Sequence, residues 1–284
     1  MKNVLRTLIY DGQVSLTLAD TTALVQKGMQ LHSLSPVSAF VFGKALSAMT
    51  FMSACLKEKT GEISLSLKGD GDCGEIAVSG NSMLYMRGYI GNVSLDGEPT
   101  DEEERACLGS ETSVTIIRDD GYSRPFVGAC ILPQNGGLDE GFEEYFRISE
   151  QLPTRIKTAV EFADGKCVFA GLVAVQPLPF ADEKTLKKVA ELPLETLLAE
   201  LKAQSLVDCA NAHFDCSSTV FEERKAMYKC NCSRQYLTRV LVSLGETQMR
   251  EIIKEDGAVR IHCHYCNTDY EFTDEDADLI FKKE

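Results

Sequence analysis

The stretch Cys230-Asn231-Cys232, with Cys263-His264-Tyr265-Cys266 further along the chain, places four cysteines in two close pairs. Four thiolates suit a tetrahedral Zn²⁺ ion, and residues 233–262 are enough chain to fold back between the pairs. We therefore predict a zinc site with these four cysteines as its ligands. The Cys-x-Cys pair is tighter than the common Cys-x-x-Cys, so its disulfide would close a small strained ring. Strained disulfides are easily reduced, which suits a switch better than a permanent link.

The residues around the cysteines predict a small unit of two helices and a hairpin. Ser233 can cap a helix that stops at Gly245, and Thr247 can cap a second helix that stops at Gly257. Strand residues are expected on both sides of the second cysteine pair: Val259, Ile261, Tyr270 and Phe272. Such a unit buries little core, so we expect the metal to supply much of its folding free energy.

Composition and charge limit the classes of function. The chain has 284 residues, of which 44% are hydrophobic, and a formal net charge of −14. It is long enough to bury a good core. The negative charge repels phosphate backbones, which argues against the nucleic-acid binding that a zinc unit first suggests. The N-terminal residues lack the apolar stretch of a secretory signal, so we predict a cytoplasmic protein.

Eleven cysteines in a reducing compartment do not predict a disulfide framework. Seven of them stand singly, and we expect them to behave as small buried hydrophobic residues: Cys55, Cys73, Cys107, Cys130, Cys167, Cys209 and Cys216. Cys209 and Cys216 lie near the four paired cysteines in the sequence, so a role as further redox partners stays open beside the structural one.

The run from Val37 to Leu56 is apolar and long enough to span a bilayer, but it carries Lys44 near its middle. A central lysine costs about 2.5–3.5 kcal/mol on insertion scales. Ser35-Pro36 is a typical helix start, with serine as the N-cap and proline at the first helical position. We therefore predict a buried core helix and no membrane span.

Residues 1–179 predict an α+β domain with antiparallel sheets. Residues 63–67 alternate apolar and polar side chains and pair with 76–78 in a hairpin, and residues 156–162 and 166–175 flank the hairpin signal Asp164-Gly165. The turn Gly69-Asp70-Gly71-Asp72-Cys73-Gly74 matches the letters of a dinucleotide fingerprint. A strand follows it rather than a helix, and its aspartates repel phosphate, so we predict a structural turn.

Residues 180–228 predict a helical linker of marginal stability between this domain and the zinc domain at 229–284. The linker's leucines at i, i+3, i+4 and i+7 form one apolar stripe: Leu194, Leu197, Leu198 and Leu201. Leu186 and Val189 begin a similar stripe before Pro193 interrupts it. Short helices like these need a surface to pack on. Asp208 to Ser218 is expected to be an irregular connection.

Over essentially its whole length the chain resembles the 33 kDa heat-shock chaperone family, also called the 33 kDa chaperonin. The most specific motifs are Cys230-Asn231-Cys232-Ser233-Arg234, Ser243-Leu244-Gly245, Glu255-Asp256-Gly257 and Cys263-His264-Tyr265-Cys266. Supporting stretches are Asp11-Gly12-Gln13-Val14, Leu34-Ser35-Pro36, Gly69-Asp70-Gly71, Arg87-Gly88-Tyr89 and Tyr145-Phe146-Arg147-Ile148-Ser149-Glu150-Gln151-Leu152-Pro153. Their shared order makes the resemblance specific.

The resemblance implies a redox-regulated holdase and not an enzyme. It implies that the four cysteines bind one Zn²⁺ when reduced, and that oxidation joins Cys230 to Cys232 and Cys263 to Cys266 and expels the metal. It further implies that the linker then unfolds and exposes apolar surface to unfolding client proteins, and that the oxidised protein forms a homodimer.

Two other interpretations of the cysteines remain. The site can be a permanent structural zinc site, as most four-cysteine sites are. The Cys263–Cys266 pair can alternatively belong to a thiol-disulfide oxidoreductase, although that chemistry needs the pair at a helix N-terminus in a thioredoxin-like βαβ setting, whereas strands are expected on both sides of it here. His262 and His264 are expected to be bystanders, because four cysteines already complete a tetrahedron.

Overall fold

A computed structural model of the chain describes residues 2–216 and 219–282. The chain forms two compact units, an N-terminal unit at Met1–Lys229 and a C-terminal unit at Cys230–Glu284. Strands and helices mix in both units, and the strands pair almost entirely antiparallel, which confirms the predicted α+β class.

The strands of the N-terminal unit are β1 (Val4–Ile9), β2 (Val14–Asp20), β3 (Glu62–Lys68), β4 (Ile76–Asn81), β5 (Tyr85–Ile90), β6 (Ser113–Asp119), β7 (Phe126–Ile131), β8 (Arg155–Ala163), β9 (Lys166–Pro177), β10 (Glu222–Arg224) and β11 (Met227–Tyr228). Its helices are α1 (Thr22–His32), α2 (Pro36–Ala54), α3 (Asp101–Leu108), α4 (Leu138–Tyr145), α5 (Glu183–Ala190), α6 (Leu194–Glu200) and α7 (Leu206–His213). A π-helical turn, Phe146–Glu150, follows α4.

Two sheets form the framework of this unit. One has the strand order β10-β1-β2-β9-β8, and the other has the order β11-β5-β4-β3-β6-β7. Both predicted hairpins are confirmed, because β3 pairs antiparallel with β4 and β8 with β9. Asp164 and Gly165, between β8 and β9, both have positive φ, which is the conformation that the Asp-Gly signal predicts.

Helix α2 is the central core element of the N-terminal unit. The Ser35 side chain accepts a hydrogen bond from the Ser38 amide, and Pro36 opens the helix, as the sequence predicts. The helix packs against β8 and β9 of one sheet and against β4 and β5 of the other. It is long and apolar enough to cross a membrane by composition, but all of that window is buried inside the protein. The prediction of a buried core helix is confirmed.

Lys44 lies buried in α2 because acidic side chains from other helices surround its ammonium group. Its Nζ donates to Asp101 at 3.1 Å and to Glu104, and it lies 3.8 Å from Asp139. Burial alone would lower the pKa of Lys44, but the carboxylates of Asp139 and Glu104 outweigh it and raise that pKa. Burial conversely raises the pKa of Glu104 and of Asp139, and Lys44 opposes that rise only in part.

The glycine-rich turn between β3 and β4 is structural, as predicted. A Cβ on Gly71 would lie 2.2 Å from the carbonyl oxygen of Cys107 at the end of α3, so no side chain fits there. The Asp70 carboxylate accepts hydrogen bonds from the amides of Ser110 and Glu111. The turn therefore holds the end of α3 against the sheet, and β4 follows it where a phosphate site would need a helix.

Helices α5 to α7 pack on the first sheet and supply an apolar cluster to it. The predicted leucine stripe is buried in this cluster, at Leu194, Leu197, Leu198 and Leu201. Val189 is buried as well, but Leu186 is 38% exposed, so the second predicted stripe is incomplete. The short strands β10 and β11 end this segment by pairing with β1 and β5.

The irregular connection predicted at Asp208 to Ser218 is wrong over its first half. Helix α7 covers Leu206–His213 because the Ser205 side chain caps it, accepting a hydrogen bond from the Asp208 amide at 3.1 Å. Asn and Asp disfavour helix interiors because their side chains compete for backbone hydrogen bonds, but here the cap at Ser205 outweighs that preference. Ser217 and Ser218 lie outside the described residues.

The C-terminal unit consists of α8 (Arg234–Leu244), α9 (Glu246–Asp256), β12 (Val259–Cys263), β13 (Thr268–Phe272) and α10 (Asp274–Ile280). Ser233 caps α8 as predicted, and β12 pairs antiparallel with β13. The prediction that Thr247 caps the next helix is wrong. Gly245 has φ +97° and is itself the N-cap residue of α9, so Thr247 lies inside the helix.

Candidate metal centre

The structure brings the four predicted cysteines of the C-terminal unit together. Cys230 and Cys232 lie in the loop before α8, whereas Cys263 ends β12 and Cys266 lies in the turn before β13. The Sγ atoms of Cys230 and Cys263 are 3.7 Å apart, and those of Cys232 and Cys266 are 3.2 Å apart. All four sulfurs lie within 4.8 Å of one another. Both of these short distances join a cysteine of the first motif to a cysteine of the second.

This arrangement fits a tetrahedral metal ion with soft ligands. Zinc–sulfur bonds of about 2.3 Å put the sulfurs of a tetrahedron roughly 3.8 Å apart, close to the separations observed. The four side chains are half-buried, which leaves them reachable by a metal ion and by small oxidants. Within residues 2–216 and 219–282, this group is the one set of three or more potential ligand atoms at such distances.

The thiols of the cluster differ in acidity. Burial raises the pKa of Cys230, and the neighbouring Cys263 sulfur adds to the rise. Burial also raises the pKa of Cys266, to about 11. Burial would raise the pKa of Cys232 too, but hydrogen bonds from Tyr270 and from the Cys266 thiol lower it overall. Adjacent thiolates repel one another, and a cation among the sulfurs would offset that repulsion.

Two hydroxyl groups and one backbone amide make hydrogen bonds with sulfurs of the cluster. The Tyr270 hydroxyl lies 3.3 Å from the Cys232 sulfur, and the Thr268 hydroxyl lies 3.3 Å from the Cys266 sulfur. The backbone amide of Cys232 donates to the Cys230 sulfur at 3.5 Å. The sequence predicts Tyr270 only as a strand residue and gives no role to Thr268. Their alternate positions on β13 were the available signal, since both residues share one face of the strand.

The segment that carries the first cysteine pair is fixed by Arg234, the first residue of α8. Its guanidinium donates to the carbonyl oxygen of Glu271 and to the carboxylate of Asp276, both at 2.7 Å. It also lies over the ring of Phe272. Arg234 therefore ties the start of α8 to β13 and α10, which joins the loop of the first pair to the hairpin of the second.

The two histidines beside Cys263 are not in the group of potential metal ligands, which holds only the four cysteines. The His262 Nδ1 atom lies 2.7 Å from the Asp269 carboxylate, and the rings of His262 and His264 contact each other at 4.8 Å between centroids. This placement agrees with the prediction that they are bystanders. Cys263 and Cys266 lie between two strands, which is not the helix N-terminus that a thiol-disulfide oxidoreductase requires.

Cys209 and Cys216 lie in the apolar cluster that α5 to α7 form on the first sheet, not among the four clustered cysteines. Both are buried, and the Cys209 thiol donates to the carbonyl oxygen of Leu197 at 3.8 Å. Burial raises the pKa of Cys209 to about 11. In this fold the Cys209 thiol is therefore protonated and shielded from oxidants.

The fold and the site together define a class: an α+β protein with a separate small unit organised around four cysteines. A family model described as Hsp33 protein matches residues 2–273. The 33 kDa chaperonin of Clostridium novyi (strain NT) is 31% identical over 98% of this chain and 97% of that protein. The 33 kDa chaperonin of Bacillus cereus (strain AH187) is also 31% identical, over 97% of each chain. The chain belongs to the Hsp33 family, which confirms the resemblance predicted from its motifs.

A solved structure supports the same fold. The 33 kDa chaperonin of Thermotoga maritima matches with a TM-score of 0.82 and covers 99% of this chain and 98% of its own, at 24% identity. The family and the names of these relatives support the prediction of a chaperone, a class of protein that binds client proteins, and not of an enzyme.

Proposed function

We propose that this protein is a redox-regulated holdase of the cytoplasm. Cys230, Cys232, Cys263 and Cys266 bind one Zn²⁺ ion when reduced, and the protein is then inactive. Oxidation joins Cys230 to Cys232 and Cys263 to Cys266 and releases the ion. The oxidised protein dimerises and binds unfolding proteins, which prevents their aggregation. The observation that carries the proposal is the group of four sulfurs within 4.8 Å in a unit with a small core.

The chemistry of the switch follows from the thiols. A bound Zn²⁺ ion would keep the sulfurs in the thiolate form, which is the form that oxidants attack. Two thiolates and one hydrogen peroxide molecule, with two protons, give one disulfide and two water molecules. The two electrons pass from sulfur to peroxide, so two peroxide molecules oxidise all four cysteines. A disulfide sulfur is a poor metal ligand, and the site is lost.

The linker is the element that the switch releases. Residues 180–228 contribute the buried leucine stripe on α6, and only Lys229 separates β11 from Cys230 along the chain. Unfolding of the linker would expose that stripe and the apolar sheet surface under it, which together suit an unfolding client. The net charge of −14 favours solubility of the loaded complex by repulsion.

The substitution Leu197→Ala is expected to activate the protein without oxidation. Leu197 is 1% exposed, and truncation of a buried leucine costs about 2–5 kcal/mol, which a marginal linker cannot absorb. The reduced variant should suppress client aggregation while it still holds zinc. Leu186→Ala is the matched control in the same segment, because Leu186 is 38% exposed. A reduced Leu197→Ala protein as inactive as the control would contradict linker release.

The proposed function is tested by light scattering from a client that unfolds on heating. We expect suppression by the peroxide-treated protein and none by the reduced, zinc-loaded protein. Cys232→Ser should bind zinc more weakly and lose this redox control, whereas Cys55→Ser, which changes a cysteine outside the cluster, should behave as the parent. Peptide mass mapping of the oxidised protein tests which cysteines form disulfides. The test is needed because the two short sulfur–sulfur distances join the first motif to the second, whereas the proposed disulfides lie within each motif. Equal suppression by reduced and oxidised forms would mean a constitutive chaperone with a structural site.

A further inference from the structure

Strand β13 carries two hydroxyl side chains to the metal centre. The Tyr270 hydroxyl is 3.3 Å from the sulfur of Cys232, and the Thr268 hydroxyl is 3.3 Å from the sulfur of Cys266. These are also the two sulfurs with the shortest separation in the cluster, 3.2 Å. Each of the two closest sulfurs therefore has a hydroxyl partner of its own.

The register of the hairpin explains why the tyrosine hydroxyl reaches the sulfur. Tyr270 pairs with Ile261 and Phe272 pairs with Val259, so β13 is fixed along β12. Thr268, Tyr270 and Phe272 point to one face of the strand because side chains alternate along it. Phe272 is buried in the core of the unit, and the Tyr270 ring packs against that core at its edge. The ring is thus held by packing while its hydroxyl extends to Cys232.

We propose that Tyr270 is a positioning residue of the metal centre: it donates a hydrogen bond to the Cys232 thiolate and thereby sets how tightly the metal is held and how readily the centre is oxidised. The Thr268 hydroxyl accepts from the protonated Cys266 thiol and donates to the Cys266 carbonyl oxygen, and it turns its proton to the sulfur when Cys266 becomes a thiolate. This inference rests on the proposed zinc switch and adds the residues that set its threshold.

The expected effects follow from the charge on sulfur. A hydroxyl donor stabilises a thiolate, so it favours the metal-bound state over the protonated one. Loss of such a partner in the outer shell of a metal site lowers metal affinity by about 10–100-fold. A donor also withdraws electron density from the sulfur and makes it a weaker nucleophile towards peroxide. Tyr270→Phe should therefore bind zinc more weakly and, once saturated with zinc, release it faster under peroxide.

The experiment compares the full-length parent, Tyr270→Phe and Tyr236→Phe. Tyr236 is half-exposed on α8 with its ring beside Arg239, so its substitution removes a hydroxyl of the same unit other than the two that contact the sulfurs. Zinc affinity is measured by competition with a chromogenic chelator, and zinc release is followed after peroxide is added at saturating zinc. We expect affinity to fall by about 10-fold or more in Tyr270→Phe and to stay at the parent value in Tyr236→Phe.

Cobalt substitution separates an electronic effect from a merely structural one. The sulfur-to-cobalt charge-transfer band should shift in Tyr270→Phe and not in Tyr236→Phe, since only the former changes a sulfur's hydrogen bond. Thr268→Val should lower metal affinity, and Thr268→Ser, which keeps the hydroxyl, should restore it. These two variants test the inference even when Tyr270→Phe folds poorly. Affinities and release rates within twofold of the parent in both Tyr270→Phe and Thr268→Val would overturn the inference. Failure of the parent itself to bind zinc would instead overturn the proposed function.

Discussion

Removal of zinc is expected to unfold the C-terminal unit Cys230–Glu284 and to leave α2 and its sheets folded. The core of this unit is small, and its cluster of buried apolar side chains consists of Leu237, Leu241, Met249, Val259, Phe272 and Ala277. Structural zinc contributes on the order of 10–16 kcal/mol at neutral pH in small metal-organised units. So small a core cannot replace a contribution of that size.

Amide hydrogen exchange before and after chelation measures this effect in both units at once. The amides of β12 and β13 should lose their protection, whereas those of α2 should keep it. Restoring zinc to the reduced protein should restore the protection. A chelated protein that keeps slow exchange in β12 and β13 would show that the core alone folds the unit, and the switch could not operate by unfolding.

Replacement of Lys44 by methionine is expected to destabilise the N-terminal unit by about 3–5 kcal/mol at pH 7, since it leaves the buried Glu104 without its cation and leaves Asp139 with only the half-buried Lys157. Lys44 is 3% exposed, Glu104 is completely buried, and Asp139 is 3% exposed. Methionine is unbranched and shorter than lysine by only the terminal ammonium, so the change removes charge more than volume. Lys57→Met, in the exposed stretch after the same helix, is the control and should stay within about 0.5 kcal/mol of the parent.

The loss should depend on pH in a defined direction. Burial raises the folded-state pKa of Glu104 and of Asp139 above the unfolded values. Between the unfolded-state and folded-state pKa values the folded protein binds more protons than the unfolded one. The free energy of unfolding therefore falls as pH rises through this range. Without Lys44 the window widens, and Lys44→Met should recover stability as pH falls from neutral towards the range where both carboxyls are protonated.

Urea unfolding followed by circular dichroism at several pH values checks this prediction. Adding Glu104→Gln to Lys44→Met should restore part of the stability at pH 7, because it removes one of the uncompensated charges. A Lys44→Met protein as stable as Lys57→Met would show that the buried ion pairs contribute nothing net.

Local patterns in the sequence predicted most elements that position the metal centre. The cap at Ser233, the hairpin strands on both sides of the second cysteine pair and the buried helix after Ser35-Pro36 are all confirmed. The two wrong predictions concern where a helix begins and whether polar residues form one. Thr247 loses the capping position to Gly245, whose positive φ sets where the chain turns, and the polar residues of α7 form a helix because Ser205 caps it.

The sequence by itself determined the spacing of the four cysteines, the periodicity of the leucine stripe and the alternation of the strands, because each depends on residues close together in the chain. Only the tertiary structure decided which acids neutralise Lys44, since Glu104 and Asp139 reach it from α3 and α4. It also decided that the Tyr270 hydroxyl meets Cys232, a contact set by the β12–β13 register and the packing of Phe272. Contacts between distant segments depend on how whole elements pack, and no local pattern records that packing.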